Sequence, residues 1–348
     1  MRMKGDKMAK ERDIQIDILR CIGLLLVILA HVPINETVKS IRSFDVMLLV
    51  MIAGISFVKS GRNEKEFDYK RYLIGRINRL CVPTWITLAI IFGLAAILCL
   101  VVHREYLYSV KQIIESVFFI GGINGGIGNV WIVRIYMLMA FMTPIFIIID
   151  RKIENDWKLI SLFIALLSIN EIIVKGLYVE GTFRGAFVEN IISSVLCYSV
   201  GFLMGIRIAE ENNSSCLRKG LIVFVSLFII VQIILINCGT GFAPNSYKYP
   251  PQLYYSLYGI VGSLLLYLAC CRINVQRDGL RKAIVWLSQK SFDMYLAHTI
   301  VLKLLSWGDV YIRNIFVFKI SILYYIFVLL VSIIMVAVKD CVMARYER

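Results

Sequence analysis

Ten apolar runs, each close to the length of a membrane crossing, constrain this chain more than any other feature. A transmembrane helix needs about 20 predominantly apolar residues. Runs of that kind occupy approximately 16–34, 44–60, 82–102, 129–149, 159–178, 186–206, 220–238, 254–272, 290–307 and 319–338. The second is short and interrupted by glycine, and the fifth carries Asn170 and Glu171. Composition agrees: 59% of the residues are hydrophobic, against about 45–50% in a soluble globular domain. The fold expected is an all-α polytopic membrane protein with about ten transmembrane helices.

Charge tests the helix count. The formal net charge of +14 would point to nucleic acid in a soluble chain, but cytoplasmic loops of membrane proteins collect Lys and Arg, so no nucleic-acid partner is expected. Ten spans place both termini on one side. Of the 38 Lys and Arg, 26 then fall on that side, 10 on the other, and Arg20 and Arg134 within spans. Dropping one helix would invert every later loop and erase the bias, so both termini are expected to be cytoplasmic. The basic arm of Arg2, Lys4, Lys7, Lys10 and Arg12 leads into the first run with no small-residue cleavage site after it, as in a signal anchor. Residues 1–348 read as a single transmembrane domain. The longest loop is about 25 residues, which leaves no room for an appended soluble catalytic domain. The nine cysteines show neither zinc nor redox spacing, and no metal is expected.

The first run, DILRCIGLLLVILAH (Asp17 to His31), contains three ionisable residues. Each costs roughly 2.5–3.5 kcal/mol to insert at the centre of a span. Arg20 and His31 are eleven residues apart, which puts them on one helix face separated by roughly 16 Å of rise. Asp17, three residues before Arg20, shares that face and can pair with it. The stripe is compatible with two readings. Asp17 and a snorkelling Arg20 could mark the interface, with His31 in the opposite headgroup layer; or all three could line a cavity across the membrane.

The arrangement Arg-x10-His on a first helix resembles acyltransferase family 3, a family of integral-membrane acyltransferases. RINRLCVP (Arg76 to Pro83) resembles the family's Arg-x-x-Arg followed by Leu and Pro. VWIVRIYMLMAFMTPIF (Val130 to Phe146) resembles its Trp-led fourth helix ending in Pro. SQKSFDMYLAH (Ser288 to His298) resembles its Ser-x-x-x-Tyr-Leu-x-His helix, and YKYPPQLYY (Tyr247 to Tyr255) a segment of some members. Each motif alone is weak, but their order and spacing match over nearly the whole chain. The resemblance implies an acyl-CoA donor, usually acetyl-CoA, entering from the cytoplasm. It implies a hydroxyl acceptor at or beyond the membrane, on a cell-surface polysaccharide or lipid-linked sugar. It also implies residence in a bacterial cell membrane and action on the bacterial cell envelope. A succinyl donor is also compatible with these residues.

Acyl transfer to a hydroxyl needs a base or a nucleophile, and histidine serves as either. Of His31, His103 and His298, the first is the catalytic candidate, with Arg20 and Asp17 beside it. His103 sits next to Arg104 at a span end, as an interfacial histidine would. His298 shares a face with Ser291 and Tyr295; it is a second candidate or a buried structural histidine. Arg76 and Arg79, one turn apart in the most basic loop, suit the phosphates of the donor, though positive-inside charge explains them as well. Trp131 and Arg134 are candidate substrate contacts, as are Tyr295 and His298. Arg134 needs a partner, and Glu171, Glu189 and Asp293 are the carboxylates in reach of the spans. The Gly-rich GGINGGIGN (Gly121 to Asn129) lacks the strand–loop–helix setting of a phosphate cradle and reads as a loop at the acceptor entrance. The tyrosines of YKYPPQLYYSLY could stack on sugars or form an interfacial belt.

These readings converge on a membrane O-acetyltransferase. A transporter or flippase is the rival class, since intramembrane charges mark substrate pathways too, but no inverted repeat is visible. A non-catalytic member of a glycan-assembly complex is a second rival. The separate membrane-bound O-acyltransferase family pairs a late His with Asn, which is not convincingly present. Monomer and homodimer are both open.

Overall fold

In a computed structural model, residues 12–61, 67–120, 127–211, 214–308, 315 and 319–346 are described. Among them there is no strand. Chain order is α1 (Ile14–Ala30), α2 (Glu36–Ile41), α3 (Asp45–Lys59), α4 (Tyr69–Arg76), α5 (Val82–Val101), α6 (Val110–Val117), α7 (Trp131–Lys152), α8 (Asp156–Leu177), α9 (Phe183–Phe187), α10 (Ser194–Glu211), α11 (Ser214–Asn237), α12 (Leu253–Cys270), α13 (Asp278–Gln289), α14 (Ser291–Trp307) and α15 (Ser321–Tyr346). A π-helical turn, Ile77–Cys81, joins α4 to α5, and another, Val188–Ser193, joins α9 to α10.

Among the described residues, eight helical stretches are long and apolar enough to cross a bilayer. Helices α1 and α14 are shorter, 17 residues each; α1 holds Asp17 and Arg20, and α14 holds Asp293 and His298. With them, each of the ten apolar runs is a helix. The boundaries differ where local chemistry intervenes. Helix α1 stops at Ala30, so His31 is its C-cap rather than an interior residue, and Pro33 follows. Helix α7 runs through Pro144 to Lys152 instead of ending at the proline. The expected loop 272–290 contains α13, whose Leu280, Ile284 and Leu287 recur at helical spacing. The expected loop 59–81 contains α4.

Helices α3 and α10 form the centre of the bundle, 67% and 78% buried across their apolar windows, while α11 and α15 lie outermost at 11% and 17%. The centre is tight because two glycines face each other's neighbours. A Cβ on Gly54 would collide with the Phe202 carbonyl, and one on Gly205 with the Met51 carbonyl. Lipid tails are as apolar as leucine, so such close approach of backbones, rather than a hydrophobic drive, is what holds membrane helices together. Helix α1 packs against α3, α13 and α14, which brings the polar residues of three sequence-distant segments to one place.

A candidate active site of three adjoining cavities

Three cavities lie in a row. The first, of about 660 Å³, is rimmed by Arg71, Tyr72, Arg76, Asn78 and Arg79. The second, of about 260 Å³, shares Arg76 and Arg79 with it and is walled by Arg20, Ser56, Tyr136 and Tyr295. The third, of about 460 Å³, shares Val27 and Ile132 with the second and is lined by His31, Trp131 and Arg134 among others. The stripe on α1 is therefore divided, with Arg20 opening on the middle cavity, His31 on the last, and Val27 between them serving both.

Each π turn sits at a cavity. Pro83 on α5 has no N–H, and its ring crowds the carbonyl four residues back. The widened turn answers this by bonding the Val82 N–H to Ile77 O, five residues back. Arg76 and Arg79 project from this turn. In the second π turn, the Ser194 hydroxyl donates to Glu189 O at 3.0 Å and the Asn190 amide to Ala186 O at 2.8 Å. Glu189 and Asn190 line the third cavity. Such turns recur at functional sites.

Arg20 donates to Ser288 Oγ at 3.1 Å and to Ser56 Oγ at 2.9 Å. Asp17 stands 3.8 Å from its guanidinium. The closer partner of Asp17 is Arg12, which donates from Nε at 2.6 Å and Nη2 at 3.0 Å, and Ser288 adds a bond at 2.6 Å. Thus Asp17 is 3% exposed yet fully bonded, and it holds Arg20 largely through Ser288. Arg12, Ser56 and Ser288 were not singled out from sequence. Arg12 had been read only as arm charge, and the two serines depend on helix packing that no local pattern announces.

His31 directs Nδ1 to Val27 O at 2.8 Å. A carbonyl can only accept, so Nδ1 carries the proton and Nε2 keeps its lone pair. The ring lies 5.3 Å from that of His298, and His298 lies 5.3 Å from Tyr295. His298 is fully buried, lines none of the three cavities, and makes no hydrogen bond at either ring nitrogen among the described residues. Tyr295 donates to Asn129 O and walls the middle cavity. His103 is exposed and stands apart from all three cavities. Gly121 to Gly126 of the Gly-rich loop lie outside the described residues, but Gly128 and Asn129 line the third cavity.

Arg134 finds none of its expected partners at ion-pair distance. It donates to Phe119 O at 2.6 Å, and of the three expected partners Glu189 shares its cavity. Glu171 instead pairs with Lys175 at 3.0 Å and accepts from Leu253 N at 2.9 Å. Asp293 pairs with Lys339 at 2.8 Å. Asn170 donates to Pro251 O at 2.7 Å. The polar residues of α8 thus anchor the segment before α12, which carries Lys248 and Tyr249 into the third cavity. There Trp131 meets Tyr249 edge-on at 5.8 Å. Arg42, Asp45, Lys248 and Lys303, also in this cavity, were not singled out from sequence.

The row of cavities is thus polar at both ends and narrowed by apolar side chains between. The acyltransferase domain of acyltransferase family 3 matches residues 13–339. The chain belongs to that family and is a multi-pass membrane acyltransferase. No curated protein matches it. No solved structure matches it either.

Proposed function

We propose that the protein moves an acyl group, best represented by acetyl, from cytoplasmic acyl-CoA to a hydroxyl of a cell-surface polysaccharide or lipid-linked sugar in the bacterial plasma membrane. The observation that carries this reading is the row of cavities, with unpaired arginines at one end and a histidine with a free Nε2 at the other. Arg71, Arg76 and Arg79 have no carboxylate at ion-pair distance among the described residues, which leaves their forks free for the donor's phosphates. The middle cavity takes the pantetheine arm past Arg20, whose position Asp17 and Ser288 fix. The thioester then reaches the Val27–Ile132 constriction. There the acceptor oxygen attacks the thioester carbon while His31 Nε2 takes the hydroxyl proton. The C–S bond breaks, and the departing CoA sulfur receives that proton. His298 and Tyr295 support the His31 ring from behind rather than touching the acceptor.

The test is thiol release from acetyl-CoA by the purified protein in nanodiscs, with and without a crude envelope-glycan extract. Removing a general base costs about 10²- to 10⁴-fold, so extract-dependent release should collapse in a folded His31→Gln protein. His31 is only half-buried and its one hydrogen bond is to its own helix, worth about 1 kcal/mol. Loss of activity will therefore not be loss of fold. Equal release by both proteins would refute the role of His31.

A further inference from the structure

The third cavity is richer in positive charge than its surroundings call for. Lys39, Arg42, Arg134, Lys248 and Lys303 line it against two carboxylates, Asp45 and Glu189. Two of the cations are neutralised, Lys39 by Glu36 at 2.7 Å and Arg42 by Asp45 at 2.5 Å. Lys248 is not. It is 4% exposed and has no carboxylate at ion-pair distance among the described residues. Its Nζ lies 5.3 Å from the Trp131 ring and 5.4 Å from the Tyr249 ring. Lys303 likewise has no ion pair among the described residues. A buried ammonium without a counter-ion is costly, and cation–π contact offsets only part of that cost.

The positive-inside rule does not account for these charges. Lys39, Arg42, Lys248 and Lys303 are four of the only 10 cations on the cation-poor side of the sequence-derived topology. They converge on one cavity although they come from three separate segments of the chain, and the α8 anchors through Asn170 and Glu171 hold the Lys248 segment in place. Aromatic rings beside a fixed cation suit a sugar ring bearing a negative group.

We infer that the acceptor carries an oxyanion, a sugar carboxylate or a sugar phosphate, which Lys248 holds in the third cavity with Arg42 and Lys303 around it. This rests on reading that cavity as the acceptor side. The full chain in nanodiscs of zwitterionic phosphatidylcholine is titrated with three probes: a uronic-acid trisaccharide, a hexose 1-phosphate and a neutral trisaccharide. One anionic probe should bind, more weakly as salt is raised, and its source of charge identifies the acceptor's. Its affinity should fall about tenfold or more in Lys248→Gln and recover in Lys248→Arg, as expected for one charge-assisted contact. Lys303→Gln, at a half-buried position, should weaken it in the same direction. Acetyl-CoA affinity should be unchanged in all three variants.

Three results would overturn the inference. They are neutral and anionic probes binding alike, no probe binding while acetyl-CoA still binds, and an anionic probe whose affinity falls in Arg79→Gln but not in Lys248→Gln. Oxyanion binding that depends on Lys248 in a protein that never binds acetyl-CoA would sink the donor assignment and leave this site standing.

Discussion

Replacing Arg76 by glutamine tests the donor end of the site. Arg76 borders both the first and the middle cavity. Its guanidinium stacks on Tyr72 at 5.1 Å, and its buried Nε has no hydrogen-bond partner among the described residues. Losing the stacking costs about 0.5–1 kcal/mol of stability, because no protein carboxylate is left unpaired. Losing a charge-assisted bond to a phosphate costs about 1.5–3 kcal/mol, or about 10- to 150-fold in KM. The functional effect therefore exceeds the structural one. The assay compares acetyl-CoA with acetyl-pantetheine, which has the same thioester but no nucleotide phosphates. In the wild type, acetyl-CoA should have much the lower KM. In Arg76→Gln its KM should rise toward that of acetyl-pantetheine, whose own KM stays put. Arg79→Gln, at an exposed position, should show the same pattern near the lower end of the range. If the two donors' KM values rise together in Arg76→Gln, the arginine acts on the fold or on the thioester, and the phosphate assignment is wrong.

One further expectation concerns the brace beneath Arg20, and another the N-cap of α1, Asp13. Asp17→Asn removes the charge from a carboxylate that accepts three short bonds, but Arg12 and Arg20 are 39% and 27% exposed at their side chains, so the loss should be about 1–3 kcal/mol rather than the full penalty of a buried pair. A thermal scan in detergent should show Asp17→Asn melting below wild type and below Ser288→Ala, and equal melting of all three would remove the brace. Burial pushes the Asp13 carboxyl up, yet the Lys59 ammonium and the N–H groups of Gln15 and Ile16 outweigh it and hold that carboxyl below its usual range. A depressed carboxyl stabilises the fold above its unfolded value, about 3.9, and ceases to as pH falls through the folded value. The melting-temperature gap between wild type and Asp13→Asn should therefore close in acid and be constant from about pH 5 upward, and a gap that widens in acid would refute it.

The membrane architecture was legible because hydrophobic length is a local property: every apolar run is a helix, even where ionisable groups interrupt it, as Arg20 does in α1, Arg134 in α7 and Glu171 in α8. Much of the lining of the candidate site was legible in the same way. Arg20, His31, Arg76, Arg79, Trp131, Arg134 and Tyr295 all border the cavities. What a single helix cannot announce is which neighbour it meets. Ser288 lay inside a motif read for its histidine and tyrosine, but its bond to Asp17 spans 271 positions. Arg134 was expected to pair with a carboxylate, and the nearest accepting oxygen turned out to be a backbone carbonyl at the end of α6's segment. Lys248 looked like loop charge next to aromatic residues until α8 folded its loop inward. For His298, sharing a face with Ser291 and Tyr295 left a second candidate and a buried histidine both open, and it lines none of the three cavities.

The insertion cost of the α1 stripe is unevenly met, and the unevenness supports the proposed function. At the N-terminal end, Arg12, Ser288 and Ser56 satisfy Asp17 and Arg20, so those charges are held in one geometry. At the C-terminal end, His31 spends one nitrogen on the Val27 carbonyl, which fixes its tautomer, and leaves the other without a protein partner among the described residues. A residue retained only for structure would gain by pairing both. About three apolar turns separate the two ends, and Val27 within them lines both cavities. The sequence spacing of eleven residues thus places a rigid cation and a free base on opposite sides of a single constriction, which is where a thioester from one side and a hydroxyl from the other would have to meet.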